Sequence, residues 1–351
     1  MDNTPLISII IPCYNIAQKL PKCLDSIIGQ DFSDFEAICV NDASTDNTPQ
    51  VIERYSDKDN RIRLVSLERN QGLANGRRVG LSEAKGEFVA FIDGDDWVRK
   101  DYLSALIEEQ AANDCDVVIC GQYKQAFKHA AITRTNISPR LAGRLVKGKE
   151  LEDIAANFFA NSLFPLSMWG KLYRRSLFNL DDIPIIDVFF QEDILLNLYI
   201  YRQIKSIKFS NYLGYFNRTG GGSGAVSRRY IDDMKAVYRV KKDYWVRGEY
   251  HFEDAFNRIL IELKNCLYIY FQRKLGSTEL LQAIKDEAAR ELKDELYKDF
   301  DLLSGTYQHL KQDPQFVAVR EGDVDTFLSL AKGREGISRA LKNLLKNLLN
   351  L

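Results

Sequence analysis

The residues of this sequence that are best suited to chemistry are three aspartates, Asp93, Asp95 and Asp96. They directly follow the apolar run of residues 88–92, which is typical of a buried strand. Carboxylates this close together repel one another, and each resists ionisation unless a cation lies among them. A hard divalent ion held by one or two carboxylates, water and substrate phosphates would supply that cation. The alternative is a solvated acidic turn in which Asp96 or Asp101 caps the next helix.

The acidic residues follow one of several apolar segments that alternate with amphipathic ones over residues 1–120. The apolar segments predict buried strands, and the amphipathic segments predict helices. This alternation predicts a mostly parallel sheet with helices on both faces, in which ligands bind at the carboxyl ends of the strands. The predicted strands are 6–11, 37–40, 62–67, 88–92 and 117–120, and the predicted helices are 20–29, 48–55, 73–84 and 102–110.

The remainder of the chain predicts a second, helical region. From about residue 229 onward, charged and apolar residues interleave at helical spacing. We therefore predict an α/β domain over residues 1–226, divided near residue 120, and an all-α C-terminal region over residues 227–351. Between residue 121 and the glycine-rich stretch at 220–224, the patterns predict helices 151–160 and 194–203 and a strand 207–216.

The composition argues against a disordered chain, a nucleic-acid-binding protein and a histidine-rich metalloprotein. With 45% hydrophobic and 28% charged residues, the 351-residue chain can bury a core, and a net charge of -1 gives no positive field for nucleic acid. The six cysteines lie singly in mostly apolar segments, which favours free thiols in a reducing compartment. Only three histidines are present, which disfavours a histidine-rich metal centre. No signal peptide or span of ~18 apolar residues is visible, so we expect a cytoplasmic protein.

Polar clusters also follow the other predicted strands. The first strand ends in residues 12–15, Pro-Cys-Tyr-Asn, and the second in residues 41–46, Asn-Asp-Ala-Ser-Thr-Asp. A carboxylate with small hydroxyl residues suits contacts to a base and ribose, although the last acid could simply cap the next helix. A third strand leads to Arg77 and Arg78, which could pair with phosphate or base oxygens or remain surface charges. At a common sheet edge, these clusters would form one ligand site.

Four motifs in this order resemble family 2 glycosyltransferases. They are Pro-x-Tyr-Asn, Asn-Asp-x-Ser-x-Asp, Asn-x-Gly-x-x-x-x-Arg and Gly-Glu-Phe-x-x-Phe-x-Asp-x-Asp-Asp, within residues 5 to about 105. A weaker resemblance continues through residues 169–174, 191–193 and 215–218. The resemblance implies the A-type nucleotide-sugar-binding fold, with nucleotide-sugar binding over residues 1–120 and acceptor binding over residues 121–226.

The resemblance also implies roles for individual residues of the donor site. Arg77 would reach the base or the phosphates, and Asp93 would contact the ribose. Asp95 would hold Mn²⁺ or Mg²⁺ against the diphosphate. Arg218 would be a phosphate ligand beside the loop 219–224. Four residues would contact the uracil or ribose of a UDP-sugar: Pro12, Tyr14, Asn15 and Asp42.

Asp193 falls where the resemblance implies a general base. A base must take the proton of the acceptor hydroxyl, and a helix N-terminus keeps a carboxylate ionised and able to accept it. Glu192 and Asp193 could instead be ordinary N-terminal helix charges. We expect Glu192 and Trp169 on the acceptor side, where Trp169 would form an apolar platform for a sugar ring unless it is a buried core residue. One base with direct displacement implies inversion at the anomeric carbon.

The sequence departs from the family pattern at three places. Residues 76–78 read Gly-Arg-Arg where Ala-Arg-Asn is usual, which adds a positive charge. Asn41 stands where an aspartate is more usual. The loop 219–224 is unusually rich in glycine, and we expect it to fold over the diphosphate.

We therefore expect an inverting, metal-dependent glycosyltransferase that moves a sugar from a UDP-sugar to a saccharide or lipid-linked saccharide, in cell-surface polysaccharide synthesis. One alternative is a nucleotidyltransferase, which would have a glycine-rich, basic loop after the first strand. A second alternative is a catalytically silent nucleotide-sugar-binding protein, against which the retained acidic residues argue. The sequence leaves the sugar, the acceptor and the linkage open.

The C-terminal segment 337–351 predicts a basic amphipathic helix. Leucines recur on one face, and Arg339, Lys342 and Lys346 lie on the other. Such a helix could lie in the membrane interface, which would suit a lipid-linked acceptor at the cytoplasmic leaflet. The alternative is that its leucines pack onto residues 229–330 or onto a second subunit of a homodimer.

Overall fold

The computed structural model describes residues 4–126, 130–134, 137–156, 165–181, 188–189, 191–218, 228–248 and 255–332. The glycine-rich loop 219–224 and the predicted helix at 337–351 lie outside these residues. The chain divides into two compact units. The first comprises Met1–Ala155 and Leu163–Gly222, and the second comprises Ala156–Ser162 and Ser223–Leu351.

The first unit is built around one ten-stranded sheet. Its main order is β3-β2-β1-β4-β9-β6-β10-β5, with β7 paired to β6 and β8 paired to β10. The strands are β1 Ile7–Cys13, β2 Phe35–Asn41, β3 Ile62–Ser66, β4 Phe88–Phe91, β5 Trp97–Val98, β6 Val117–Ala126, β7 Ala130–Arg134, β8 Leu145–Lys147, β9 Lys171–Arg174 and β10 Ser206–Arg218.

The first four strands of this order run parallel, as the sequence predicts. Every residue of β1 is buried, since strands flank it on both edges and helices cover both faces. Gly80 permits close packing of a helix on β1, because a Cβ at this position would lie 2.4 Å from Ile10 Cγ2. The helices of this unit are α1 Leu20–Ile28, α2 Thr48–Ser56, α3 Leu73–Glu83, α4 Tyr102–Asn113, α5 Gly148–Ala156 and α6 Glu192–Tyr201, with a 3-10 turn at Arg175–Leu177.

The second half of the sheet is mixed rather than parallel. β9 runs antiparallel to both β4 and β6, between which it lies, while β10 runs parallel to β6. The sequence did not predict β9, because Lys-Leu-Tyr-Arg is short and half polar. In the structure Lys171 is nevertheless fully buried. Strand β10 has two register shifts between Phe209 and Tyr215, and its last residues run beside β5.

The second unit is helical, as predicted. A stacked pair, Trp245 and Phe256, has ring centroids 4.0 Å apart, and Phe271 packs edge-on against Phe327. Among the described residues, no helix combines the length and the apolar character that a bilayer span requires. The elements of the second unit are α7 Arg228–Val246, α8 Ala255–Leu275, α9 Leu281–Glu291, α10 Pro314–Glu321 and α11 Val324–Lys332, with 3-10 segments at Glu295–Leu302 and Gly305–Gln312.

All six cysteines are buried free thiols, as the sequence predicts. Burial raises the pKa of Cys120 to about 12, so its thiol stays protonated at neutral pH. The cysteines therefore act as small apolar core residues.

Candidate active site

The loops that follow β1, β2 and β4 meet at one edge of the sheet. The backbone N–H of Asp42 donates to the carbonyl oxygen of Cys13 at 2.9 Å, which joins the ends of β1 and β2. The acidic turn, residues 93–96, packs directly against the end of β1. A Cβ at Gly94 would be 2.4 Å from Ile16 Cδ1 and 3.3 Å from the Pro12 carbonyl oxygen. Only glycine allows this approach. The polar clusters predicted from the sequence therefore do come together.

The loop after β1 combines an exposed ring with a buried support. Pro12 is buried at the end of β1, and the side chain of Tyr14 is 48% exposed. Asn15 has a left-handed backbone, with φ of 51°. Its Oδ1 accepts from the N–H groups of Thr45 at 2.8 Å and Asp46 at 3.3 Å. The side chain of Asn15 thus connects the loops after β1 and β2 and leaves Tyr14 facing solvent.

Asp42 connects the second loop to the third. Its two carboxylate oxygens accept from the backbone N–H groups of Gln71 at 2.7 Å and Gly72 at 2.8 Å. Burial raises the pKa of Asp42, and these two hydrogen bonds lower it. Gly72 has φ of 84°, a conformation that favours glycine. Contact between Asp42 and a nucleotide stays a prediction.

Asp96 is the buried member of the acidic turn. Its Oδ2 accepts from the Tyr215 hydroxyl at 2.8 Å and from Asn217 Nδ2 at 3.2 Å, and its Oδ1 accepts from the N–H of Arg218 at 2.7 Å. The Tyr215 hydroxyl also accepts from the N–H of Asp93 at 3.1 Å. Burial, together with the charge of Asp93, raises the pKa of Asp96 to about 8. Asp96 therefore fastens β10 to the acidic turn, a role that the sequence did not predict.

Asp93 and Asp95 are more exposed, and each pairs with its own cation. Asp93 Oδ1 accepts from Arg77 Nη2 at 2.9 Å, while Asp95 Oδ2 accepts from Lys19 Nζ at 3.1 Å. Both aspartate side chains are 24% exposed. Burial raises the pKa of Asp93, and the Arg77 charge offsets part of that shift. These two are therefore the carboxylates of the turn that an incoming ligand can reach.

Arg77 joins the acidic turn to the start of α6. Its side chain is 0% exposed, and its Nη1 contacts both Glu192 Oε1 at 3.4 Å and Asp193 Oδ1. Its Nε is buried without a hydrogen-bond partner in the described part of the protein. The nearby Asp193, Asp93 and Glu192 raise the pKa of Arg77 although its burial opposes this, so it stays charged. The guanidinium is committed to carboxylates, and its predicted contact with base or phosphates stays a prediction.

Helix α6 presents two acids that differ in environment. It follows Gln191, which has φ of 61°, and Asp193 Oδ2 accepts from the N–H of Met168 at 3.3 Å. The Asp193 side chain is 20% exposed, against 9% for Glu192. Burial first, and then the charge of Asp193, raise the pKa of Glu192 to about 8, while Arg77 lowers it. Asp193 is thus the more accessible acid, held on both carboxylate oxygens.

Buried polar side chains of α6 and β9 form hydrogen bonds beneath the Asp193 site. Asn197 Nδ2 donates to the carbonyl oxygens of Leu166 and Asp193, at 2.7 Å each. Lys171 Nζ donates to the Tyr201 hydroxyl at 2.9 Å. Burial lowers the pKa of Lys171 to about 7, and the charge of Asp193 opposes this shift. The sequence did not predict these hydrogen bonds. The Trp-Gly-Lys-Leu-Tyr-Arg segment at 169–174, which contains Lys171, was the only indication of them in the sequence analysis.

Trp169, Arg78 and Arg218 also lie in this unit. Trp169 is partly buried and stacks on Tyr215, with ring centroids 4.7 Å apart. One face of its indole is therefore covered, and its role as a sugar platform stays a prediction. Arg218 Nε donates to the Asp95 carbonyl oxygen at 2.8 Å, whereas Arg78 Nη2 donates to the carbonyl of Leu180 at 2.6 Å. Arg218 thus lies beside the acidic turn.

The first unit matches a known family. Residues 8–179, which include the acidic turn and the loops after β1 to β3, match the model of glycosyl transferase family 2. Over these residues the chain carries a family 2 glycosyltransferase domain. The sequence-based resemblance is confirmed, and it extends over the central strand β9, which the four motifs did not cover.

Several relatives carry glycosyltransferase names. The chain is 35% identical over 205 residues to the uncharacterized glycosyltransferase EpsJ of Bacillus subtilis, covering 58% of each chain. It is 31% identical over 227 residues to the cholesterol galactosyltransferase of Borreliella burgdorferi, covering 63% of each. The chain spans 58% of EpsJ, 48% of EpsH from B. subtilis and 45% of GlyA from Streptococcus pneumoniae.

A solved structure shares the fold. The structure of Staphylococcus aureus TarS residues 1–349, determined with UDP-GlcNAc, has a TM-score of 0.65 and 23% sequence identity. The match covers 95% of this chain and 92% of the TarS chain. The predicted fold class, an α/β sheet followed by a helical region, is confirmed.

Proposed function

We propose that this protein is an inverting glycosyltransferase that uses a UDP-sugar as donor and a saccharide or lipid-linked saccharide as acceptor. The observation that carries the proposal is the buried Arg77, which joins donor-side Asp93 to Asp193. Transfer with inversion requires the leaving group of the donor and the base for the acceptor on opposite sides of the anomeric carbon. Arg77 holds Asp93 and Asp193 in fixed positions relative to each other. The names of the relatives support the reaction class.

The donor nucleoside would bind at the edge formed by the loops after β1, β2 and β4. The exposed Tyr14 offers a ring face to the base, and the hydrogen-bonded loops around Asn15 and Asp42 give a fixed frame. Pro12 supports this edge from inside, and Asp93 has exposed surface for a ribose contact. A frame that is ordered before binding reduces the entropic cost of binding.

The acidic turn fits a divalent ion that is completed by substrate. The described residues contain no group of three or more acidic, histidine or cysteine side chains that could hold a metal by themselves. Mg²⁺ and related ions need only one or two carboxylates when phosphates and water complete the shell. Asp95 would hold Mn²⁺ or Mg²⁺, which when bound neutralises charge on the leaving diphosphate. Asp96 is less suited to be a ligand, because it is 1% exposed and already accepts three hydrogen bonds from the protein.

Asp193 would be the general base. Arg77 contacts one of its carboxylate oxygens and the Met168 N–H donates to the other, so its orientation is fixed while part of it faces solvent. The acceptor hydroxyl would lose its proton to Asp193 as its oxygen attacks the anomeric carbon. Glu192, with its raised pKa, would stay largely protonated at neutral pH and would not compete for this proton. Trp169 and Glu192 would border the acceptor.

The acceptor side and the cellular site are also proposals. A role in cell-surface polysaccharide synthesis at the cytoplasmic face of the membrane would suit a lipid-linked acceptor. Segment 337–351 would contribute a membrane-surface contact or a homodimer contact. A nucleotidyltransferase is disfavoured by the family, and a silent binding protein would retain donor binding without turnover.

The test is a donor screen with purified full-length protein. UDP-glucose, UDP-galactose and their N-acetyl forms are incubated with Mn²⁺, and UDP release is followed with and without candidate saccharides. The Asp193→Asn variant is the matched control, because it keeps the shape of the side chain but removes the basic carboxylate. The proposal expects UDP release with at least one donor and its loss in the variant. Binding of a UDP-sugar with equal background release by both proteins would favour the silent binding protein.

A further inference from the structure

The three aspartates of the acidic turn are all compensated by the protein itself. Asp93 pairs with Arg77, and Asp96 accepts three hydrogen bonds from β10. Within the described residues, the cation paired with the Asp95 carboxylate is Lys19, at 3.1 Å. A divalent ion that binds Asp95 would therefore compete with an ammonium group for this carboxylate.

The side chain of Lys19 can move away from Asp95 while α1 stays folded. It directly precedes α1, where its backbone supports the helix, while its side chain is 34% exposed and reaches Asp95 across 76 residues of sequence. A lysine carries a compact charge on a flexible four-carbon stem. A partly exposed ion pair of this kind contributes little to stability. The pair is thus easily exchanged.

Other cations lie around the same turn. The ammonium of Lys22 is 3.2 Å from the centre of the Trp97 ring, and the Arg218 guanidinium is 5.3 Å from it. Burial, and after it the charge of Arg218, lower the pKa of Lys22. Positive charges crowded this closely repel one another, and an anion placed among them relieves that repulsion. A diphosphate is such an anion.

We propose that Lys19 is an exchangeable cation of the donor site. In the free protein it neutralises Asp95, and when a divalent ion takes its place it moves to an oxygen of the nucleotide diphosphate. The inference rests on the proposed function, because it assigns the diphosphate to a nucleotide donor. It accounts for an acidic turn that is stable without metal and still able to receive one.

The exchange predicts opposite effects on two ligands. Removing the ammonium frees Asp95, so the nucleotide-free protein should bind Mn²⁺ more tightly. The same change removes a phosphate contact, so the nucleotide should bind more weakly in the presence of Mn²⁺. An ion pair that lies outside both ligand sites would move neither affinity.

The first measurement is Mn²⁺ binding to nucleotide-free protein, followed by electron paramagnetic resonance of the free ion. Lys19→Met should raise the affinity roughly tenfold, the scale on which one adjacent charge shifts a carboxylate equilibrium. Lys22→Met is the matched control, since it removes the same charge three residues further along the chain, from a position over Trp97. It should give a clearly smaller increase. Equal effects of the two substitutions, or none, would overturn the exchange at Asp95.

The second measurement compares UDP with uridine in the presence of saturating Mn²⁺. Lys19→Met should weaken UDP binding on the order of tenfold, as expected for the loss of one charge-assisted hydrogen bond. Uridine binding should not change, and Lys19→Arg should restore part of the UDP affinity. Equal losses for UDP and uridine would overturn the phosphate contact. If the wild-type protein bound no UDP, the proposed donor would be wrong, while the Mn²⁺ measurement would still decide the exchange.

Discussion

The acidic turn at residues 93–96 and the acidic pair that begins α6 use the same chemistry in different ways. Each contains one buried acid with a pKa raised to about 8, Asp96 in the turn and Glu192 in the helix. Each also contains a more exposed acid, Asp95 in the turn and Asp193 in the helix. The difference lies in their cations, because Asp95 pairs with a partly exposed lysine whereas Asp193 pairs with a buried arginine.

This difference separates exchange from orientation. A metal ligand must be able to give up its protein partner, and a partly exposed lysine permits that. A general base must point at one hydroxyl in every cycle, and a buried guanidinium together with a backbone N–H fixes its direction. The identity of the neighbouring cation thus separates the proposed roles of these two partly exposed aspartates.

The largest expected effect is on the base. Asp193→Asn should retain UDP-sugar binding and reduce transfer by a factor on the order of 10² to 10⁴, the range that general-base catalysis supplies. Transfer rates and donor affinity are measured on the same preparation. Near-normal transfer, or lost donor binding, would make Asp193 a structural residue.

The next effect tests Arg77, whose charge is shared between the two acidic regions. Arg77→Gln leaves Asp93 and Asp193 without their buried cation, so the free energy of unfolding should fall by about 3–5 kcal/mol. Arg61→Gln is the control, because Arg61 pairs with Asp59 at a partly exposed position and should cost at most about 1 kcal/mol. Urea unfolding measures both. Equal small losses would show that Arg77 is not required to hold the two acids.

A smaller effect concerns pH. Burial raises the pKa of Glu192 to about 8 in the folded protein, above its ordinary value of about 4.3. The folded state therefore binds the proton more tightly, and the stability that this gives is lost as pH rises from about 4.3 through about 8. Glu192→Gln cannot titrate, so its unfolding free energy should fall less over this range. Glu53→Gln, at an exposed position, should follow the wild type.

Transfer at neutral pH sharpens the same comparison. Because Glu192 would already carry a proton there, Glu192→Gln should retain most activity, in contrast to Asp193→Asn. A loss in Glu192→Gln as large as that in Asp193→Asn would contradict the assignment of different roles to these neighbours. If Glu192→Gln and the wild-type protein lost unfolding free energy equally as pH rises, that result would contradict the raised pKa of Glu192.

The smallest effect concerns the C-terminal segment. If 337–351 lies on a membrane, full-length protein should co-sediment with anionic liposomes more than a chain ending at Lys332, the last residue of α11. The difference should shrink at high salt, because basic residues supply part of the attraction. Equal partitioning would leave the segment as a packing or subunit contact, which the masses of the two chains in solution would distinguish.

The sequence predicted the local features well and the long-range pairs poorly. The apolar runs around 88–92 and the helix that begins near Asp193 were visible from periodicity. The buried contact between Arg77 and Asp193 joins positions 116 residues apart, and no local pattern signals it. From the sequence, Arg77 was therefore interpreted as a nucleotide ligand or a surface charge, and not as the partner of Asp193.

Short polar segments were missed for a related reason. Lys171–Arg174 forms a central strand because its neighbours β4 and β6 supply both edges, while its buried lysine donates to Tyr201 of α6. Intrinsic pattern cannot predict this, since strand preference depends on packing partners. Lys19 was missed because its partner Asp95 follows a different strand. In each case the tertiary structure assigns the role.

The most direct test is the dependence of transfer and donor binding on Asp95 and metal. Asp95→Ala should fold normally, because it removes a partly exposed charge rather than core volume, and it should lose both transfer and the Mn²⁺-dependent part of UDP binding. Wild-type protein in EDTA should show the same two losses. Added Mn²⁺ or Mg²⁺ should restore transfer in the wild-type protein but not in Asp95→Ala. Undiminished turnover in EDTA, or a fully active Asp95→Ala variant, would contradict the proposed metal-assisted transfer.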